Sequence, residues 1–189
     1  MENEAQSLTK SRILDMSFYA FNQRGYTAVS MDEVSRALKI SKKTIYKHFG
    51  SKEEILESAM VALFGRIEMR LKAWEADHLA NKAFLHYFNI CKDYQAGLSE
   101  LLRDELQRDI PYLHERVETF ERQTLLRALV ACLKAQRNAR MLDYPSPTRE
   151  FAQNFHRMLN CLSGSSEQMA NALIQATAKG LSPKKKKKK

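Results

Sequence analysis

Apolar residues recur at helical spacing along most of the chain, and no stretch keeps the two-residue alternation of a strand. Met31, Val34 and Leu38 share one face of a short predicted helix. Ser30 is placed to cap it, with Glu33 three residues on to close a capping box and Val29 against Val34 as a hydrophobic staple. After a turn at Lys39-Ile40, Ser41 is placed to cap a second helix. Ile40 and Ile45 repeat the staple, and Ile45 and Phe49 point inward. Upstream, a helix from about Leu8 to Gly25 carries Ile13, Leu14, Phe18 and Phe21 on its inner stripe, with Gly25 as a left-handed stop. Downstream, Ser51 and Glu54 form a further capping box and open a long helix to about Glu75. Beyond Asp77 the predicted helical segments are 80–96, 98–109, 111–140, 147–163 and 166–179. Gly97 breaks the first pair, Pro111 suits the first turn of the third, and Tyr144-Pro145-Ser146-Pro147 is the clearest loop.

Charge adds a direction to this all-helical pattern. The formal net charge of +9 is not spread evenly. Residues 1–52 hold nine basic and five acidic side chains, residues 53–183 are nearly neutral, and six consecutive lysines fill 184–189. A basic head on a neutral body suits a reader of nucleic acid. The lysine tail is too charged to fold and raises non-specific affinity for polyanions. The N-terminus has no signal-peptide pattern, and no apolar run approaches the roughly 18 residues of a membrane span. Cys91, Cys132 and Cys161 are odd in number and far apart, which suits free thiols in a reducing cytoplasm.

The second short helix is where the chemistry concentrates. From Val34 to Lys52 there are six Lys or Arg and no acid. With Ile45 and Phe49 behind it, the helix turns Lys43, Thr44 and Lys47 outward, flanked by Lys42, Tyr46 and His48. A short basic helix with hydrogen-bonding side chains and a buried rear face is what reading a major groove requires. We assign Lys43, Thr44 and Lys47 to bases or nearby phosphates, and Tyr46, His48 and Lys52 mainly to the DNA backbone. The Tyr46 ring can also pack on Phe49 or the first helix, and the two roles are compatible.

The run from Arg12 to Leu56 resembles the N-terminal domain of the TetR family of bacterial transcriptional regulators. The likeness rests on Arg12-Ile13-Leu14, the Phe21-x-x-x-Gly25-Tyr26 corner, Ser30 with Val34 and Ala37, and Ser41. Ile45-Tyr46-x-His48-Phe49 and Ser51-Lys52-Glu53-Glu54 complete it. It implies an all-α fold: a three-helix helix-turn-helix DNA-binding domain over 1–52, then a helical ligand-binding and dimerisation domain over 53–183. It places Thr44, Tyr46, His48 and Lys52 at DNA-contacting positions with Ser41 and Lys43 beside them, and Thr9 and Lys10 near phosphate. It implies a hinge near Phe49-Gly50-Ser51. The family usually has Gly where this chain has Lys39, so a positive φ there would strain the lysine.

In the body, Trp74, Phe84, Tyr87, Phe88, Cys91, Tyr94, Tyr112 and Phe120 form an aromatic and soft set. Such a set suits either a plain core or a cavity for an apolar or aromatic molecule. Phe151, Phe155, Met158 and Leu162 on one predicted helix, with Met169 and Leu173 on the next, resemble the family's dimer-forming pair; an intramolecular core gives the same stripes. Catalytic patterns are fragmentary. Glu75-x-x-His78 lacks the second copy of a di-iron site, and His114-Glu115 lacks a histidine at 118. The reading is therefore a homodimeric DNA-binding regulator, not an enzyme, needing no cofactor or metal. Its partners are a palindromic duplex, itself and a small effector. Activation, control by a protein partner, and non-specific polyanion binding are the rival readings.

Overall fold

The computed structural model describes residues 2–75, 83–139 and 147–162, and every regular element among them is helical. In chain order these are α1 (Glu2–Arg24), α2 (Met31–Leu38), α3 (Lys42–His48), α4 (Lys52–Glu75), α5 (Ala83–Gly97), α6 (Glu100–Asp109) and α7 (Pro111–Phe120). A π-helical turn (Glu121–Leu125), α8 (Leu126–Asn138) and α9 (Thr148–Leu162) follow. The predicted helix 166–179 with Met169 and Leu173, the residues 144–146 of the predicted loop, and the lysine tail lie outside the described residues. None of the described helices is long and apolar enough to cross a membrane.

The chain divides into two compact units, and neither is continuous in sequence. The first gathers Met1–Arg66 with Ala96–Val117; the second holds the described residues of Ile67–Gln95 and Glu118–Lys189.

In the first unit, α1 buries Ile13, Ser17, Phe18 and Phe21, while Leu14, expected on the inner stripe, is only half-buried. Residues 13, 17 and 21 follow one another at four-residue steps, so position 14 falls at the edge of that face. The helix stops at Gly25, whose φ of +87° is left-handed and whose N–H meets the Phe21 carbonyl at 2.9 Å. The capping box on α2 forms as predicted: Glu33 N–H meets Ser30 Oγ at 3.3 Å, and Ser30 N–H meets the Glu33 carboxylate at 2.9 Å. At its other end Lys39 adopts φ 56°, ψ 40°, with its N–H on the Arg36 carbonyl and Ile40 N–H on the Ser35 carbonyl at 3.0 Å. This is the left-handed closure that glycine ordinarily provides, built here on a lysine.

Two further joins complete the unit. At the end of α5, a Cβ on Gly97 would lie 2.6 Å from Leu63 Cδ1, so the residue's bareness lets α4 approach. Ser99 then caps α6 through Leu102 N–H at 3.2 Å. Asn22 at the end of α1 accepts the Ser99 N–H at 2.8 Å and donates to the Gly97 carbonyl at 3.0 Å, while Ser99 Oγ donates to the Asn22 carbonyl at 2.9 Å. Tyr112 and Arg116 on α7 pair with Glu53 and Glu57 on α4.

In the second unit the predicted helix 111–140 is broken by the π-helical turn, where Leu126 N–H reaches back five residues to the Glu121 carbonyl. The Tyr87 hydroxyl donates to the Leu125 carbonyl at 3.0 Å and lies 3.0 Å from His156 Nδ1 on α9. Around this point Trp74, Tyr87, Phe88, Cys91, Tyr94, Phe120, Leu129, Leu133, Ala152 and Phe155 are buried.

Candidate nucleic-acid interface

Helix α3 is short, and its placement depends on its ends. Ser41 Oγ accepts Thr44 N–H at 3.0 Å and lies 2.9 Å from Thr44 Oγ1, so the two hydroxyls close the N-terminus together. Ile45 and Phe49 are fully buried behind it, and Phe49 N–H returns to the Ile45 carbonyl at 3.1 Å. The junction beyond is tied rather than loose. Ser51 Oγ accepts Glu54 N–H at 3.0 Å, and the Glu54 carboxylate takes the Gly50 N–H at 2.6 Å. Glu54 thus reaches one residue further back than an ordinary capping box.

The outward face carries Lys43, Tyr46 and Lys47, all exposed, with Thr44 and His48 half-buried at its edges. Lys42 leans back onto α2, its ammonium 2.9 Å from the Asp32 carboxylate. Lys10 is exposed on α1 with its ammonium 5.2 Å from the Phe49 ring centroid, and Thr9 beside it is half-buried. These groups bring one predominantly basic edge together from α1 and α3.

Lys52 is placed differently from its expected role. Its half-buried ammonium donates to the Tyr26 carbonyl and lies 4.2 Å from the Tyr26 ring centroid and 5.7 Å from that of Phe21. Burial pulls its pKa below the ordinary lysine value, while Glu105 and Glu33 pull it back up. The side chain is turned into the unit, where cation–π contact and a carbonyl hold it. Sequence reasoning also missed Glu105. This buried α6 carboxylate accepts the Tyr26 N–H, with Thr27 N–H at 3.4 Å. Its partners lie nearly eighty residues away, and no local pattern marks it.

A family model described as bacterial regulatory proteins, tetR family, matches residues 13–59. Over those residues the head is similar to a TetR-family domain. The biofilm operon icaADBC HTH-type negative transcriptional regulator IcaR of Staphylococcus aureus is 31% identical over 55 residues. Its counterpart in Staphylococcus epidermidis matches to the same extent. That stretch is 29% of this chain and 30% of the relative, so the similarity spans less than a third of those proteins' length. Among solved structures, a TetR-family regulator from Agrobacterium tumefaciens aligns with a TM-score of 0.74 at 17% identity, over 94% of this chain and 100% of that one. The ketosteroid transcriptional regulator KstR2 of Mycobacterium tuberculosis gives 0.71 at 16% identity, over 93% and 95%. At such identities the likeness is one of fold: a helix-turn-helix head followed by a helical body.

The residues expected to meet a ligand divide. Trp74, Tyr87, Phe88, Cys91, Tyr94 and Phe120 are core, with Trp74 on Tyr87 at 5.3 Å and Tyr94 on Phe120 at 5.5 Å between ring centroids. Burial pushes the Cys91 thiol up to about 12, as it does that of Cys132. Tyr112 does not join this set. It belongs to the first unit, is 46% exposed, and donates its hydroxyl to Glu53 at 2.7 Å. Its place just after Pro111 puts it on the outer side of the first turn of α7. The side chain of Phe84 lies outside the described residues. A groove of about 680 Å³ opens elsewhere in the second unit. Its floor is Leu71, Ala128 and Cys132, and Glu68, Lys72, Glu75, Gln123 and Arg127 are among its walls. Of the expected ligand residues whose side chains are described, none lines it. On α9, Phe155 is buried, Phe151 and Met158 are half-buried, and Phe151 stacks on Phe155 at 6.1 Å. The Leu162 side chain lies outside the described residues.

Proposed function

We propose that this chain is a homodimeric, cytoplasmic transcriptional repressor that binds a palindromic operator through α3 and releases it when a small molecule occupies the helical body. The observation that carries the reading is the exposed basic face of α3, capped by Ser41 and backed by buried Ile45 and Phe49. Lys43, Thr44 and Lys47 read bases or adjacent phosphates there, while Lys10, Tyr46 and His48 position the duplex. Two copies place their α3 helices in successive major grooves, about 34–36 Å apart or a multiple of that. Phe151 and Met158 on α9 join the dimer surface. Repression is favoured over activation because the Staphylococcus relative is described as a negative regulator. The groove floored by Leu71, Ala128 and Cys132 suits an effector with an apolar body and polar ends.

The test begins with selection of a preferred duplex from a random pool by the full chain. The reading expects a palindrome, retention in excess unrelated DNA, and loss of preference in Lys43→Ala/Lys47→Ala. Equal affinity for all duplexes would leave a polyanion binder and defeat it.

A further inference from the structure

The peptide unit at Tyr26 is gripped from both sides. Its N–H is taken by the Glu105 carboxylate of α6, and its carbonyl by the Lys52 ammonium of α4. The Tyr26 ring lies under the same ammonium at 4.2 Å and edge-on to Phe21 at 5.3 Å. Glu105 fits because position 25 is glycine: a Cβ there would lie 2.8 Å from each carboxylate oxygen. Glu105 as a whole is 9% exposed, and a buried charge of this kind is tolerable only with donors and a countercharge close by. Tyr26 N–H, Thr27 N–H and the nearby Lys52 supply them.

Residues 25–30 are the corner where the chain leaves α1 and enters α2. From Ser30 onward the path is fixed by the α2 capping box, the Lys39 turn and the Ser41 cap. The angle at which α3 is presented is thus decided at the corner, and the corner is held by α6. We propose that Glu105 is a positioning residue for DNA recognition: it locks the Tyr26–Thr27 corner and thereby sets the stance of the recognition helix. The inference rests on α3 being the DNA-reading element.

The experiment uses the full chain, the duplex selected by wild type, and an unrelated duplex of equal length. Glu105→Ala removes the acceptor and one negative charge. Electrostatics alone would strengthen binding to both duplexes. Loss of position instead lowers affinity for the selected duplex by about tenfold or more and leaves the unrelated one unchanged or tighter. Glu105→Gln keeps an acceptor oxygen for Tyr26 N–H and should stay within about threefold of wild type. Hydrogen exchange, measured without DNA, should accelerate at the Tyr26 and Thr27 amides in Glu105→Ala and not in Glu105→Gln. Unchanged exchange in Glu105→Ala overturns the clamp itself. Faster exchange with unaltered duplex preference overturns its role in recognition. A failure of wild type to select any duplex would instead strike the DNA-reading assignment. If Glu105→Ala does not fold, Glu105→Asp carries the test, because the shorter side chain withdraws the acceptor. Wild-type exchange and preference in that variant refute the proposal.

Discussion

Arg24 and Glu33 meet at two points, with guanidinium nitrogens 3.2 and 3.1 Å from the two carboxylate oxygens. The same carboxylate takes the Ser30 N–H, so one side chain closes the α2 cap and ties it to the end of α1. The Ser30 backbone bond first, and then Arg24, hold the Glu33 carboxyl down to about 2 from an ordinary 4.5.

The pH dependence follows from that direction. A carboxyl whose folded pKa is depressed contributes stability above its unfolded value and loses it as pH falls through the folded one. Glu33→Gln should melt below wild type at pH 6, and the gap should close between about pH 4.5 and 2. A gap constant across that range would mean the carboxylate is not ionised by its partners.

Lys39 offers a test of backbone strain. A left-handed L-residue carries roughly 1–2 kcal/mol, against a gain in unfolded-chain freedom worth about 0.4–1 kcal/mol when glycine replaces it. Lys39→Gly should therefore range from neutral to about 1.5 kcal/mol more stable. Lys39→Val, branched at Cβ, should cost at least about 1 kcal/mol. Denaturant midpoints measure both.

Lysines on α3 and α1 should separate by duplex. Lys43→Ala is expected to weaken the selected duplex by about 1–3 kcal/mol more than an unrelated one. Lys10→Ala should weaken both alike and flatten the salt slope by about one unit. Titrations at several salt concentrations distinguish the two patterns.

The Tyr87 hydroxyl should matter to the second unit separately from its ring. Tyr87→Phe keeps the ring against Trp74 but leaves the Leu125 carbonyl of the π-helical turn without this donor. A cost of about 1–3 kcal/mol in chemical unfolding is expected. A neutral substitution would indicate that the turn is satisfied by other means.

What could be read from the sequence was local. Ser30 with Glu33, Ser41, and Gly25 each act within a few residues of themselves, and their chemistry specifies helix ends wherever the chain goes. The π-helical turn over Glu121–Leu125 carries no such signature, because ERQTL is as suited to an α-helix as its neighbours. The surroundings of Lys52 are not legible locally for a different reason. Its place in the first turn of α4 points to the DNA backbone, whereas Tyr26 and Phe21 present aromatic faces to it from a segment far upstream. The aromatic set of the body was legible as a set, and only packing revealed that six of its members fill one another's space while Tyr112 turns outward.

The bonds of Asn22 and Glu105 give the chain a peculiar history in time. Every side chain of the basic edge has been synthesised by residue 52, yet the Gly97, Ser99 and Glu105 groups that hold the Asn22 side chain and the Tyr26 N–H come later. At about 5–20 residues per second, a ribosome takes several seconds to supply them. During that interval the nascent head has its recognition helix and lacks its brace. A fragment ending where the family match ends, at residue 59, would preserve that unfinished state permanently. Studied alone, it should bind DNA through its lysines and discriminate poorly among sequences.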